Sequence, residues 1–512
     1  MKKVLCALLC IAIIFSLCSC ALLENNTVFT MGVLESVNTF NPIHAKTDAE
    51  KILSDNCFEG LLRFDEKGKI NLAGATAYTT DKDALTYTFK LNPTAQWHIS
   101  EQTQATLETL GLTEFNPLIT AEDYVYGIEI FKESDSVSLA CVKEAKALDD
   151  TTLEITLTQA DPDFLYKLAA LPVFPCSRTF YEKLYSIYAT TTGTLLTNGP
   201  YYIKEHTPAE IIIERNPDYN GNIQVQNKKV LLYTTGTEEF LKERFTDESY
   251  NVYITESKSD LIKNEPSFIS TEMTWGIAFN CKSKIGSVKD LRFALFNAID
   301  YESIPLPKNA TGKATSIIPK NFTIGDTRYA DFATEPLTYK VNKTQAIEIV
   351  DSLQNQYDIG AYIVTFAVPE EMENSAKRII SDWEAVFGSK VSVTLSTFKL
   401  ADTQKIAQEG NFDVAILPVN TTTKTASGVI KAFADAPFNY QNKELSGINN
   451  SLTNIAKENF VTYRTAEETI VNENVFMPIF YSGKILYLNK NYTGIYLADG
   501  GKMLYFHAGA GK

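Results

Sequence analysis

The segment from Tyr362 to Val419 constrains the fold most. It reads as a strand Tyr362 to Val368, a helix Glu371 to Phe387, a strand Val391 to Phe398, a helix Asp402 to Gln408 and a strand Phe412 to Val419. Strands that alternate with helices over short connections pair in parallel, with the helices packed over the sheet. Such crossovers are right-handed in nearly all cases. In open parallel sheets, ligands sit in the crevice beyond the carboxyl ends of the strands. The last strand, "FDVAILPV", is apolar until Asn420, where "NTTTKT" begins. This end is expected either to form the rim of a cleft or, through its threonines, to cap a helix around Gly428 to Phe433.

Elsewhere strands and helices also interleave, without low-complexity linkers or internal repeats. Val28 to Leu34 is a short strand, "DAEKILSDNCFEGLL" a helix, and "GLLRFDEKGKINLAG" a hairpin turning at Glu66, Lys67 and Gly68. "LTYTFKLN" alternates with period two, as a half-buried strand does. In "LITAEDYVYGIEIF", Thr120 is placed to cap a helix that buries Val125, Ile128 and Phe131. "LEITLTQADPDFLYKLAAL" reads as strand, turn and helix. Tyr201 to Glu205 and Glu210 to Glu214 are two more strands, bounded by Asn-Gly-Pro and Asn-Pro turns. A new unit starts near Ile269. In "TWGIAFN", Trp275, Ile277 and Phe279 face one way, and Thr274, Gly276, Ala278 and Asn280 the other. The second face is so small that something must approach its backbone closely. The helix "KDLRFALFNAID" follows. Trp383, on a helix with Ile379 and Ile380, belongs to a core, whereas Trp275 suits either a core or a cleft wall.

The amino terminus carries Lys2 and Lys3, an apolar run from Val4 to Leu17 and then small residues, the layout of a secretory signal too short to span a bilayer. Leu17-Cys18-Ser19-Cys20 resembles a lipobox, in which Cys20 becomes the first mature residue and carries a diacylglycerol. An ordinary signal with a chance cysteine is the alternative. Losing Lys2 and Lys3 with the leader takes the formal charge from -15 to -17. No basic stripe interrupts this acidity, so nucleic acid is not an expected partner. Cys57, Cys141, Cys176 and Cys281 form no close pair. They read as small buried hydrophobes, with two disulfides as the alternative.

The ordered set "NTFNPIHA…ILSDNCFEGLLRFDEKGKI", "YTFKLNPTAQW", "LITAEDYVYGIEIF", "NGPYYIKE", "IIIERNPDYNG", "WGIAFN", "DLRFALFNAID" and "FMPIFYSGKILYLNKNYTGIY" resembles the extracellular solute-binding lipoproteins of peptide and nickel ABC transporters. The resemblance runs from about residue 28 to 496. It implies an α/β, periplasmic-binding-protein-like fold of two hinged lobes and three domains. Residues 1–19 would be the signal, 20–48, 172–261 and 476–512 domain I, 49–171 an inserted domain II and 262–475 domain III. Two crossing strands would form the hinge, with the cleft between domains I and III. The expected ligand-binding residues are Phe40, Trp275, Asn280, Val419, Asn420 and Thr421.

Two departures stand out. His98, Ile99 and a longer stretch follow Trp97, where the family has Trp-Ser-Asp-Gly directly before its Thr-Ala-Glu-Asp helix. Peptide-binding members also carry a Trp and a nearby Asp just after the strand matching "FDVAILPV", and that Asp pairs with the peptide's amino group. Here "PVNTTTKT" has neither. An ammonium group enclosed without a countercharge costs several kcal/mol, so a free amine needs another carboxylate or is not bound. The Asn and Thr side chains suit a neutral polar ligand or a blocked terminus.

There is no H-E-x-x-H, no His/Cys cluster and no G-x-S-x-G, and "NATGKAT" lacks the pattern of a phosphate loop. Acidic neighbours such as Glu238 and Glu239, or Glu370 and Glu371, point apart on a helix. Sequons at Asn25, Asn309 and Asn342 are incidental on a bacterial lipoprotein. The expectation is a non-enzymatic, monomeric, lipid-anchored binding protein on the extracytoplasmic face of the cell membrane, without cofactor or metal. It would deliver a peptide or similar polar solute to an ABC permease and its ATPase subunits. Alternatives are a metal chelate or oligosaccharide as ligand, a secreted hydrolase, or a structural or chaperone-like lipoprotein.

Overall fold

The computed structural model describes residues 28–498 apart from 67, 235, 259–261, 264, 326, 338–340, 422, 449–455 and 491, together with 502–504 and 509–510. The signal segment, Cys20 and Asn25 lie outside the described residues.

From the amino terminus, β1 (Val28–Gly32) leads to the helix Asp48–Cys57. Thr47 caps this helix: its Oγ1 accepts from Glu50 N at 3.1 Å, while the Glu50 carboxylate accepts from Thr47 N at 3.0 Å. Next come β2 (Leu62–Phe64) and β3 (Ile70–Leu72), an antiparallel hairpin, and then β4 (Ala75–Thr80) and β5 (Thr86–Leu91). The helix Ala121–Ser134 starts at Thr120, as its sequence predicts, and buries Val125, Ile128 and Phe131. With β6 (Val142–Asp149) and β7 (Thr152–Leu157), β4 and β5 make an antiparallel sheet ordered β4-β5-β7-β6. The helix Phe164–Ala170 follows.

The chain then lays down β8 (Tyr201–His206), β9 (Glu210–Arg215), β10 (Lys229–Tyr233), β11 (Val252–Thr255) and β12 (Phe268–Ile269). After these come β13 (Met273–Phe279), β14 (Ala310–Lys313), the small hairpin β15 (Thr323–Ile324) and β16 (Thr327–Arg328), β17 (Tyr362–Pro369), β18 (Val391–Phe398), β19 (Val414–Pro418), β20 (Phe476–Ser482) and β21 (Ile485–Leu488). A seven-stranded sheet runs β12-β21-β11-β1-β10-β9-β8, and a six-stranded sheet β14-β20-β13-β19-β17-β18.

The strand and helix series of the sequence appears as β17, β18 and β19, with the helices Glu373–Phe387 and Thr403–Glu409 between them. β17 pairs in parallel with both β18 and β19. The sheet as a whole is mixed, because β13 pairs antiparallel with β19 and with β20. β13 and β20 come from outside the repeating units, so no helical crossover forces them parallel.

Beside two small clusters around Tyr253 and around Tyr126, two large cores form among the described residues. One gathers residues of β1, β2 to β10 and their helices; the other lies wholly between Trp275 and Phe480. Trp383 is fully buried in the second, its Nε1 donating to Leu295 O at 2.7 Å. Cys57, Cys141 and Cys176 are buried and Cys281 half-buried, all unpaired. The small face of "TWGIAFN" has a local cause: a Cβ on Gly276 would lie 2.2 Å from Met477 O and 2.5 Å from the Phe476 ring. β20, rather than a ligand, approaches this backbone.

Gly276→Ala is therefore expected to cost about 1–3 kcal/mol. Gly312→Ala, where a Cβ meets nothing within 4 Å, should stay within about 0.5 kcal/mol. Urea unfolding of the two variants checks this; equal midpoints would contradict it.

Candidate functional site

Among the described residues the chain passes between the seven- and six-stranded sheets at two places, Ser270 to Glu272 and Gly483 to Lys484. The two passes are bound to each other. Ser270 N donates to Lys484 O at 2.9 Å and Glu272 N to Ser482 O at 2.8 Å, while Lys484 N donates to Ser270 Oγ at 2.7 Å. Glycine is required at 483, since a Cβ there would lie 2.4 Å from Ser270 O.

A cavity of about 860 Å³ opens beside this crossing. One wall is the start of the helix Phe164–Ala170, with Asp163, Tyr166 and Lys167. A second is the carboxyl end of β19 and its loop, with Asn420, Thr421, Thr423 and Lys424. Glu272, Trp275 and Ser482 close the side at the crossing. The walls touch: Lys424 N donates to Tyr166 OH at 3.1 Å, and Thr423 Oγ1 donates to Asp163 Oδ2 at 3.5 Å.

Three of the six expected positions, Trp275, Asn420 and Thr421, line this cavity. Trp275 serves both roles open to it. Its ring stacks on Phe480 at 5.8 Å and 4°, its Nε1 donates to Ser482 Oγ at 2.8 Å, and the residue also lines the cavity. The threonines likewise divide: Thr425 Oγ1 caps the helix Ala426–Ala432 by accepting from Gly428 N at 3.1 Å, whereas Thr421 and Thr423 belong to the rim.

Phe40, Asn280 and Val419 do not line the cavity. Phe40 is buried edge-on against His206, with ring centres 5.0 Å apart. Because β13 runs antiparallel to β19, Trp275 pairs with Pro418 and Phe279 with Val414. Asn280 therefore falls at the amino end of β19, where its Nδ2 donates to Gly410 O at 3.0 Å and its Oδ1 accepts from Lys282 N at 3.1 Å. Val419 is buried, with its N donating to Thr274 O at 2.9 Å, because strand alternation turns Pro418 and Asn420 to the cavity and Val419 away.

Charge is concentrated where the walls meet the crossing. Lys424 Nζ lies 2.6 Å from Glu272 Oε2, with the side chains 27% and 19% exposed. Burial pushes the Glu272 carboxyl up, but Lys424, the charge of Lys484 and the Ser270 hydroxyl outweigh it and hold the group below the usual carboxylate range. Asp163 shows the reverse. Burial raises it above that range, and Lys431 at 3.9 Å compensates only in part. Lys167 is taken by Asp161 at 2.7 Å. Among the described residues no group of three or more His, Cys, Asp or Glu is placed to hold a metal ion, and no helix is long and apolar enough to cross a membrane.

Sequence reasoning passed over Asp163, Tyr166, Glu272 and Lys424. Lys424 stands four residues beyond Asn420 in the same loop, and its basic side chain was the available signal. Nothing local marks Glu272, whose partner is 152 residues away.

Residues 69–440 match the family model described as "Bacterial extracellular solute-binding proteins, family 5 Middle". The oligopeptide-binding protein AliB of Streptococcus pneumoniae is 28% identical over 219 residues, 38% of this chain and 32% of AliB, so the match spans about a third of that relative's length. The periplasmic oligopeptide-binding protein OppA of Salmonella typhimurium is 24% identical over 493 residues, covering 87% of this chain and 85% of OppA. HbpA2 of Haemophilus parasuis superposes with a TM-score of 0.74 at 15% identity over 95% of this chain and 100% of its own. The periplasmic murein tripeptide binding protein MppA, in its unliganded open form, gives 0.69 at 19% identity over 91% and 93%. The fold is thus periplasmic-binding-protein-like.

Glu272 is charged at lower cost in the folded than in the unfolded chain, so its stabilisation is present above the ordinary carboxylate pKa and is lost as pH falls through the depressed folded value. The stability difference between the native chain and E272Q is expected to shrink from about pH 7 to about pH 3. Urea midpoints across that range check it; a constant difference would contradict it.

Proposed function

Because the chain belongs to the bacterial extracellular solute-binding proteins of family 5, we propose that it is the ligand-capturing component of an ABC importer. It takes a peptide or similar polar solute into the cavity beside the two-strand crossing. The observation that carries this reading is the cavity itself. Its volume of about 860 Å³ falls in the range of small-molecule sites, and its walls come from parts of the chain with separate cores. The printed names of AliB and OppA support peptides as the ligand class.

In this reading the crossing is a hinge, and the second core, from Trp275 to Phe480, forms the moving lobe, so that the boundary expected at residue 475 moves to the crossing. Residues 49–171 form the inserted domain, and the remaining one takes 20–48, 172–261 and, of the expected 476–512, the part beyond the crossing, since β20 pairs within the six-stranded sheet. A ligand favours the closed arrangement only by its difference in affinity for the two arrangements. Main-chain groups at the end of β19 hold an extended ligand, with Trp275, Asn420 and Thr421 in contact and Phe40, Asn280 and Val419 supporting the frame. Residues 1–19 act as an export signal, and Cys20 carries the lipid that anchors a monomer at the extracytoplasmic face of the membrane, next to its permease and ATPase subunits.

Thermal-shift screening tests the reading, with di- to hexapeptides bearing free or acetylated amino termini set against oligosaccharides and metal chelates. A peptide ligand is expected to raise stability with concentration, by about 2.7 kcal/mol at a hundredfold excess over Kd. No response to any peptide would overturn it, and a response confined to a non-peptide class would reassign the ligand.

A further inference from the structure

The cavity wall carries four lysines, Lys167, Lys424, Lys431 and Lys484, and three of them are committed. Lys167 is held against Asp161 in a half-buried pair. Lys431 is the ammonium group paired with Asp163, a carboxylate whose side chain is only 7% exposed, so moving it away would leave that charge enclosed. Lys484 lies within one of the two passes, and its Nζ is 3.2 Å from Asp48 Oδ2.

Lys424 differs because its partner holds a reserve. Glu272 also accepts from Ser270 Oγ at 3.0 Å and sits in the field of Lys484. If the Lys424 ammonium moves off, Glu272 keeps the Ser270 hydrogen bond and the field of Lys484. The backbone of Lys424 meanwhile stays fixed. Its N is bonded to Tyr166 OH, and Thr421 Oγ1 braces the turn by donating to Thr423 O at 2.6 Å. A held backbone with a side chain able to change partner, at the rim of the cavity, suits recognition of an anion.

The geometry points to Lys424 as the residue that reads a carboxylate of the bound ligand, leaving Glu272 for it when the ligand enters. This inference rests on the peptide-binding reading above and narrows its substrate class to peptides with a free carboxylate in reach of the β19 loop. The carboxylate comes either from the peptide's carboxyl terminus or from an acidic side chain.

Random tetrapeptide pools separate these cases: one with free carboxyl termini, one amidated, and one amidated but with Glu fixed at one position. Affinities are read by native mass spectrometry or titration calorimetry on the native chain, K424Q and E272Q. The native chain is expected to prefer the free-acid pool over the amide pool about tenfold, the scale of one charge-assisted hydrogen bond. K424Q should abolish the preference, and E272Q, which releases Lys424, should keep or enlarge it. Because each readout is a ratio within one variant, partial loss of folded protein cancels. If K424Q does not fold, E272Q decides, a lost preference there counting against the inference. Preference for the Glu-bearing amide pool over the plain amide pool would assign the carboxylate to a side chain. Equal affinity of all pools for the native chain, or a preference that survives K424Q, would overturn the inference alone. No binding of any pool would overturn the peptide reading and this inference with it.

Discussion

The structure depends on a connectivity constraint: all strands of the six-stranded sheet lie between two short passes, and those passes are hydrogen-bonded to each other. Ser270 to Glu272 and Gly483 to Lys484 form a two-strand crossing in which backbone N–H groups are satisfied locally, Ser270 N by Lys484 O, Glu272 N by Ser482 O and Lys484 N by Ser270 Oγ. Backbone polar groups taken out of water, as at the buried Ser270 and Ser482, need their donors and acceptors paired. That pairing lets the chain leave one core and enter another without burying unsatisfied groups. It also makes the crossing a thin place, since the two cores share no strand. Side chains supply the remaining contacts between the walls, chiefly Thr423 with Asp163 and Lys424 with Tyr166.

The same crossing explains why charge gathers there. Glu272 and Lys484 belong to the passes, and their partners Lys424 and Asp48 belong to flanking elements. A half-buried carboxylate is stable only when hydrogen bonds and cations replace its water. Glu272 has both, with Ser270 as the hydrogen-bond donor and two lysines in range. Asp163, on the other wall, is more deeply enclosed and less well compensated, and its carboxyl is correspondingly raised. The cavity thus presents one well-compensated pair, Glu272 with Lys424, and one less well compensated, Asp163 with Lys431.

Much of the scaffold was legible in local sequence pattern. The alternation in "LTYTFKLN", the capping Thr120 and the strand and helix series after Tyr362 all appear where periodicity placed them, because each element's own residues decide it. What failed was long-range. The parallel series predicts nothing about β13 and β20, which join its sheet antiparallel from distant parts of the chain. The small face of "TWGIAFN" signalled a close approach, and it was the Met477 carbonyl that came close. At the site, the strand-end rule led to Asn420 and Thr421, and antiparallel pairing carried Trp275 there while sending Asn280 to the far end. The Lys424 and Glu272 pair is a tertiary fact with no local trace.

In the proposed function the two cores close over the cavity by motion at the crossing. The direct measurement is the distance between spin labels on Val137 and Asp402, residues at and beside two cavity walls, read by pulsed electron resonance with Cys281 replaced by serine. Saturation with a bound peptide should shorten and narrow the distance distribution. A distribution unchanged by a peptide that demonstrably binds would contradict closure, and the crossing would then be a rigid joint.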